Sequence, residues 1–275
     1  MTLEQRVGQI LREVAATVIL PRLGALGPAD IAEKTPGELV TSADRAAEAM
    51  LADRLAALGL GARIVGEEAA AADPLLLNGL GEGLVWLVDP LDGTANFAAG
   101  HGPFGVMVAL VGDGAPLAGW MLDPVNDRMC FAARGEGASI DGRAVRIPRS
   151  TLALPVAALA TQFMSPARRA RVHACADRDF DRVPIPRCAA ESYPRLVLGQ
   201  NDIALFQRIL PWDHAAGVLF LTEAGGVARH WEGAAYRVGS RSPGLLAATH
   251  EHLWQLAAGA LLPAACADID ETIAA

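Results

Sequence analysis

The chain has 275 residues, 52% of them hydrophobic and 20% charged, so it can bury a sizeable core and leaves little room for long disordered stretches. Its formal net charge is -8, with 23 Lys and Arg against 31 Asp and Glu, which excludes a generic nucleic-acid binder; an anionic ligand would need local positive charge, such as a bound metal. The four cysteines, Cys130, Cys175, Cys188 and Cys266, lack metal-site spacing and read as reduced thiols of a cytoplasmic protein, and no uninterrupted apolar run is long enough to span a bilayer.

Residues 2–20 carry Glu4, Arg6, Arg12 and Glu13 among apolar positions, which predicts an amphipathic helix ending before Pro21 and not a signal peptide. A stretch punctuated by Gly and Pro runs from Gly24 to Gly37. Leu39-Val40-Thr41-Ser42-Ala43-Asp44 then leads into a helical pattern to about Leu58, capped by Thr41 or Ser42, with Asp44 in its first turn. Arg63-Ile64-Val65 is a short strand running into Gly66-Glu67-Glu68, and Leu84 to Val88, apolar throughout, is a buried strand ending at Asp89. From Gly105 to Val145, short apolar runs between Gly-Asp-Gly, Asp-Pro-Val-Asn and Asp-Gly turns predict an antiparallel meander. Beyond it, strands are expected at 153–160, 202–206 and 244–248, and helices at 166–176, 193–199, 212–224 and 250–261. The fold class is α/β (α+β), with mixed sheets layered between helices. A boundary at Thr151 separates an N-terminal half, 1–150, from a C-terminal half, 151–275, packed tightly enough to count as one domain.

Three segments place carboxylates at strand ends or a helix start: Gly66-Glu67-Glu68, Asp89-Pro90-Leu91-Asp92-Gly93-Thr94 and Trp212-Asp213-His214. Singly, each is accounted for by turn, cap or solvated-pair chemistry. Together they point to a metal. Pro90 denies the chain a ladder hydrogen bond, so it leaves the sheet at once, and the turn aims Asp89, the Leu91 carbonyl and Asp92 at one point. Hard oxygen ligands of this kind suit Mg²⁺. Glu67, Asp89, Asp92 and Asp213 carry charge that two Mg²⁺ would neutralise, with room for a third arriving with a phosphate; without metal they would repel one another and take up protons. Gly93 permits close backbone approach, and the N–H groups of Gly93 and Thr94 open a turn or helix able to receive a phosphate oxygen. No serine stands in a nucleophile-elbow sequence and no Cys-centred phosphatase loop is present, so no covalent intermediate is expected.

The stretch WLVDPLDGTANF, the upstream GEE, the downstream WDHAAG, LVTSAD before the first long helix and EAGG at 223–226 resemble, in the right order, the signatures of the inositol monophosphatase family. The resemblance implies a layered α/β/α/β/α sandwich, commonly homodimeric, that hydrolyses a small phosphate monoester with a Mg²⁺-activated water and is inhibited by lithium. Carried onto this chain, it gives Glu67, Asp89 and the Leu91 carbonyl to a first metal, and Asp89, Asp92 and Asp213 to a second. It gives Asp44 and Thr94 the orientation of the attacking water, with Glu67 counted among the catalytic residues, and the backbone of Gly93 and Thr94 the phosphate. Lys34 is implied on the phosphate side, and Ala189 to Ser192, with Glu191, at the leaving group.

The chain departs from the family at the leaving-group end. Relatives that prefer myo-inositol phosphates carry a glutamate seven residues before the WD aspartate; here that position is Phe206, followed by Gln207 and Arg208. Histidinol phosphate, a sugar phosphate and a nucleotide 3′-phosphate or 3′(2′),5′-bisphosphate therefore stand beside inositol monophosphate as substrates. The non-enzymatic alternatives are the fold as an interaction surface and an ion binder without turnover. His214 reads as a packed helix residue, His230, His250 and His252 as surface residues, Gly79-x-Gly81-x-Gly83 as a loop, and Arg168-Arg169-Arg171 as a solvated helix face or an anionic border.

Overall fold

Thr2 accepts from the N–H of Gln5, whose side chain answers the Thr2 N–H, and this reciprocal cap opens the first helix, α1 (Leu3–Val14). Val7, Ile10, Leu11 and Val14 recur at helical spacing and are buried. The helix does not stop before Pro21: it continues as a π turn, Ala15–Ile19, and a 3₁₀ turn, Leu20–Arg22, where Pro21 stands in the first turn and needs no intrahelical donor. The computed structural model describes residues 1–35, 37–148 and 154–266, so the expected boundary at Thr151 and the start of the strand expected at 153 lie outside the described residues.

Two short strands that the sequence reading did not assign, β1 (Ile31–Thr35) at the end of the Gly- and Pro-punctuated stretch and β2 (Glu38–Thr41) after it, form an antiparallel hairpin. Helix α2 (Ser42–Ala56) begins at an N-cap that is Thr41. β3 (Arg63–Gly66) runs into a short helix, α3 (Glu67–Ala72), and β4 (Leu84–Asp92) is followed by α4 (Thr94–Ala98). The expected meander is β5 (Gly105–Gly112), β6 (Ala115–Asp123), β7 (Arg128–Ala133), β8 (Gly137–Ile140) and β9 (Arg143–Val145). These form one seven-stranded sheet in the order β3-β4-β5-β6-β7-β8-β9, with only β3 and β4 parallel.

The remaining elements are β10 (Val156–Ala160), α5 (Pro166–Asp179), β11 (Asp181–Val183), α6 (Ala189–Val197), β12 (Ile203–Phe206), α7 (Pro211–Glu223), β13 (Val227–His230), β14 (Leu245–Ala248) and α8 (Glu251–Cys266). Their five-stranded sheet has the order β11-β10-β12-β14-β13. Each layer buries apolar side chains against the next. α1 and α2 cover one face of the large sheet, α6 and α7 lie between the two sheets, and α5 and α8 cover the outer face of the small one. The result is the α/β/α/β/α sandwich.

Two surface readings are corrected. His230 is buried on β13, its ring 5.6 Å from that of Tyr236 and its Nδ1 3.3 Å from the Gly244 carbonyl oxygen. The arginine cluster on α5 is not simply solvated: Arg168 lies 5.4 Å over the Trp231 ring, and Arg169 donates to the carbonyls of Thr161 (3.1 Å) and Gln162 (2.8 Å).

Candidate active site

β4 does not leave the sheet at Pro90, as its missing donor predicts. Asp89 pairs with Met107 and Asp92 with Gly105, so three steps along β4 match two along β5. The extra residue is absorbed as a bulge where Pro90 needs no ladder hydrogen bond. The bulge turns Asp89, Leu91 and Asp92 toward one end of the sheet, and Asp89 Oδ1 accepts from the Leu91 N–H at 3.1 Å. Gly93 follows with φ 84°, and a Cβ there would come within 2.9 Å of the Pro103 carbonyl oxygen, so glycine alone fits both backbone and space.

Glu67 reaches the same point from β3. Gly66 before it lies against the carboxyl of Glu48, leaving no room for a side chain. Glu48, buried on α2, accepts from the N–H groups of Glu68 (2.7 Å) and Ala69 (2.8 Å) and so caps α3 from outside. Asp213 enters from the first turn of α7. Glu67, Asp89 and Asp213 each bring a carboxylate oxygen within 4.8 Å of the other two. Lys34, on β1, places Nζ 2.7 Å from Glu67 Oε1 and 2.7 Å from Glu68 Oε1.

The electrostatics follow from this crowding. Burial raises Glu67 to about 7 although Lys34 pulls it down. Burial, then the charges of Glu67, Asp92 and Asp213, push Asp89 well above the usual carboxylate range, and burial with Glu67 and Asp92 does the same to Asp213. Asp92 is raised by burial against several hydrogen bonds: its Oδ2 accepts from the Ala190 N–H at 2.6 Å and the Cys188 thiol at 3.1 Å. Closely set hard oxygens whose negative charge Lys34 offsets only in part fit Mg²⁺. Asp92 stands beside the three-carboxylate cluster, with one oxygen committed to the start of α6.

Asp44 and Thr94 meet as expected. Thr94 Oγ1 is 3.0 Å from Asp44 Oδ1 and 3.0 Å from the Leu91 carbonyl oxygen. The other Asp44 oxygen accepts from the Thr41 N–H (2.8 Å) and hydroxyl (2.5 Å), the capping box of α2. Burial raises the Asp44 carboxyl.

The carboxylates Glu67, Asp89, Asp92 and Asp213 share with Thr94 a cavity of roughly 200 Å³, behind which Asp44 is buried, and a second wall is made by Ala189, Ser192, Phe206, Gln207 and Arg208. Arg208 is ion-paired with Glu38 of β2 and lies 4.3 Å over the ring of Phe163. Glu191 is a correction: it does not line the cavity, because its oxygens are taken by Arg128 at 2.5 Å and Arg195 at 2.8 Å. The helix expected from residue 193 begins at Ala189, which turns Glu191 onto the outward side and places Pro194 inside the helix. His214 is buried, and burial pushes its imidazole down to about 4. Three residues with a part in this arrangement, Glu48, Cys188 and Tyr193, were given no role by sequence reasoning, since each acts through a partner distant along the chain.

A five-layer α/β sandwich with carboxylates, a threonine–aspartate pair and a pocket at one strand end defines a metal-dependent phosphatase of small phosphate esters. The sequence profile of the inositol monophosphatase family matches residues 2–266, and the chain belongs to that family of phosphoric monoester hydrolases. It is 36% identical over 214 residues to an inositol-1-monophosphatase of Mycobacterium leprae, covering 74% of this chain and 72% of the relative. It is 30% identical over 236 residues to a protein of Xylella fastidiosa named Nus factor SuhB, covering 83% and 82%. The crystal structure of inositol monophosphatase - II from Staphylococcus aureus superimposes with a TM-score of 0.82 over 98% of this chain and 97% of that one, at 23% identity, a likeness of fold.

Proposed function

We propose that this chain hydrolyses a small polyol or sugar-like phosphate, with inositol monophosphate as the reference substrate. The observation that carries this reading is that one cavity is lined by both the carboxylate cluster and the Thr94 residue, whose hydroxyl is backed by the buried Asp44. An ion binder without turnover has no use for the second.

Glu67, Asp89 and the Leu91 carbonyl, and Asp89, Asp92 and Asp213, would hold two Mg²⁺, with a third arriving with substrate. Bound Mg²⁺ supplies the Lewis acidity that activates water at neutral pH and offsets charge on the phosphate. Thr94 Oγ1 has one proton and two acceptors at 3.0 Å, Asp44 Oδ1 and the Leu91 carbonyl. Donating to Asp44 frees the Leu91 oxygen and leaves a hydroxyl lone pair facing the attacking water. The capping hydrogen bonds fix Asp44, so Thr94 is held in one orientation. The backbone of Gly93 and Thr94 receives the phosphate oxygens, and Lys34 adds positive charge beside Glu67. The departing group faces Ala189, Ser192, Phe206 and Gln207.

Phosphate release is measured over a panel of monoesters, including inositol monophosphate, histidinol phosphate and a nucleotide 3′-phosphate, with Mg²⁺ and in excess chelator. Release with Mg²⁺, abolished by chelation and inhibited by lithium, is expected; full turnover in chelator refutes the metal mechanism. A two-fold homodimer is also part of this reading, and light scattering showing a monomer mass across a wide concentration range refutes it. Residues 1–150 and 151–275 act as one unit, a reading supported by a middle core drawn from both, and the free cysteines support a cytoplasmic setting. Among the described residues no helix is long and apolar enough to cross a membrane. Relatives named Nus factor SuhB support a second reading, the fold as an interaction surface, and the complete carboxylate cluster favours the first.

A further inference from the structure

At the leaving-group wall, with Phe206 and His214 on the cavity side and Tyr193 behind them, lies a buried set of rings whose polar atoms are all directed. Tyr193, fully buried on α6, sets its hydroxyl 2.7 Å from His214 Nδ1. His214 Nε2 is 3.2 Å from the carbonyl oxygen of Arg208. A carbonyl only accepts, so the ring proton is on Nε2, Nδ1 is the acceptor, and the Tyr193 hydroxyl is the donor. Phe206 stacks on Tyr193 at 5.7 Å and 21° and meets His214 edge-on at 4.8 Å and 67°. On α7, Gly217 lies so close to the Tyr193 ring that a Cβ there would collide with it. The tyrosine ring therefore has one seat and the imidazole one tautomer, and the far nitrogen of that imidazole grips the main chain where Gln207 and Arg208 join the cavity wall.

Packing alone does not explain this. Two apolar side chains of similar shape would hold α6 against α7 without desolvating a phenol and an imidazole, which is costly unless both stay hydrogen-bonded. What the polar pair adds is direction, and the direction ends on a backbone carbonyl in the substrate wall. The same segment carries the Arg208 guanidinium to Glu38 and Phe163, so its path decides how three parts of the wall meet.

We propose that Tyr193 and His214 are positioning residues for the leaving group: the chain of hydrogen bonds from Tyr193 Oη through His214 to the Arg208 carbonyl sets the path of residues 207–210, and with it the fit of Phe206, Gln207 and Arg208 to the departing alcohol. This rests on the phosphatase reading of the cavity. Residues that act through the leaving-group wall affect esters whose alcohol reaches the wall more than esters whose alcohol does not.

The test compares kcat/KM for inositol 1-phosphate with that for methyl phosphate, whose alcohol is too small to span the cavity. The variants are Tyr193→Phe, which keeps the stacked ring and removes the donor, His214→Leu, which removes both bonds, and His214→Gln, whose amide nitrogen can still donate to the Arg208 carbonyl. The inositol-to-methyl selectivity ratio should fall about tenfold in Tyr193→Phe, the effect of one lost hydrogen bond, at least as far in His214→Leu, and recover in His214→Gln. Equal losses on both esters, the result of a merely structural role, overturn the proposal, as does an unchanged ratio. A fold-independent check is ¹⁵N NMR of the wild-type imidazole: a proton on Nε2 and a bare Nδ1 at neutral pH are expected, and the opposite tautomer refutes the arrangement even if a variant fails to fold. Wild type that releases phosphate from no ester of the panel overturns the phosphatase reading as well, whereas wild-type turnover with equal losses overturns the positioning role alone.

Discussion

Mg²⁺ binding should release protons and weaken steeply as the pH falls. Glu67 sits at about 7 against an ordinary 4.5, so its carboxyl is mostly ionised at pH 8 and mostly protonated at pH 6. A ligand must be deprotonated to bind, so Glu67 alone lowers the affinity about tenfold over that interval. Asp89 and Asp213 are displaced in the same direction and can only steepen the fall. The sign for stability is opposite in the metal-free protein. Raised carboxyl pKa values mean that the folded chain keeps protons the unfolded chain has shed. This contribution is fully present below pH 4.5 and is lost as the pH rises through about 7. Mg²⁺ should therefore raise the melting temperature more at pH 8 than at pH 6. Titration calorimetry of the chelator-treated protein, in two buffers of different ionisation enthalpy, reads affinity and proton release together. Glu67→Gln should bind more weakly but with a shallower pH slope, by about one proton. Equal affinity at pH 6 and pH 8 with no proton release would refute the claim that these carboxylates are a crowded, partly protonated cluster awaiting a cation.

Thr94→Ala keeps every carboxylate of the cluster and should lower kcat by about 10²–10⁴-fold with Mg²⁺ affinity little changed, since it removes only the hydroxyl proposed to orient water; near-normal turnover would reduce Thr94 to a helix-start residue. Asp213→Asn should weaken Mg²⁺ binding and turnover together, as calorimetry and steady-state kinetics would show. Glu191→Ala should leave the ranking of substrates unchanged while costing about 1–3 kcal/mol in denaturant unfolding, because Arg128 and Arg195 lose a partly buried partner.

Much of the site is legible because its chemistry is local. Asp89 to Thr94 supply bulge, two carboxylates and glycine turn within six consecutive residues, and Thr41 with Asp44 spells its own helix cap. What escapes is tertiary. The start of α6 is hidden because no side chain on that segment caps it; the acceptor of the Ala190 N–H is Asp92, from a strand in the other sheet. Pro194 then suggests a start four residues too late. The spacing of Glu191 and Arg195 is a readable i,i+4 pair that already turns Glu191 away from a pocket, but Arg128 is not near enough in sequence to be foreseen. β1 and β2 are short, and their Gly37 turn reads as a loop.

Asp44 serves two masters at once, one oxygen ending α2 and the other facing Thr94. A lineage that abandoned hydrolysis would still be under pressure to keep this aspartate, since its loss opens a buried helix end at a cost of about 1 kcal/mol or more. Nothing comparable protects the Thr94 hydroxyl, whose two partners are Asp44 and the Leu91 carbonyl. In surveying relatives for retained catalysis, an aspartate at the position of Asp44 is therefore uninformative, and the residue opposite it is the one that discriminates between a working hydrolase and a fold kept for other reasons.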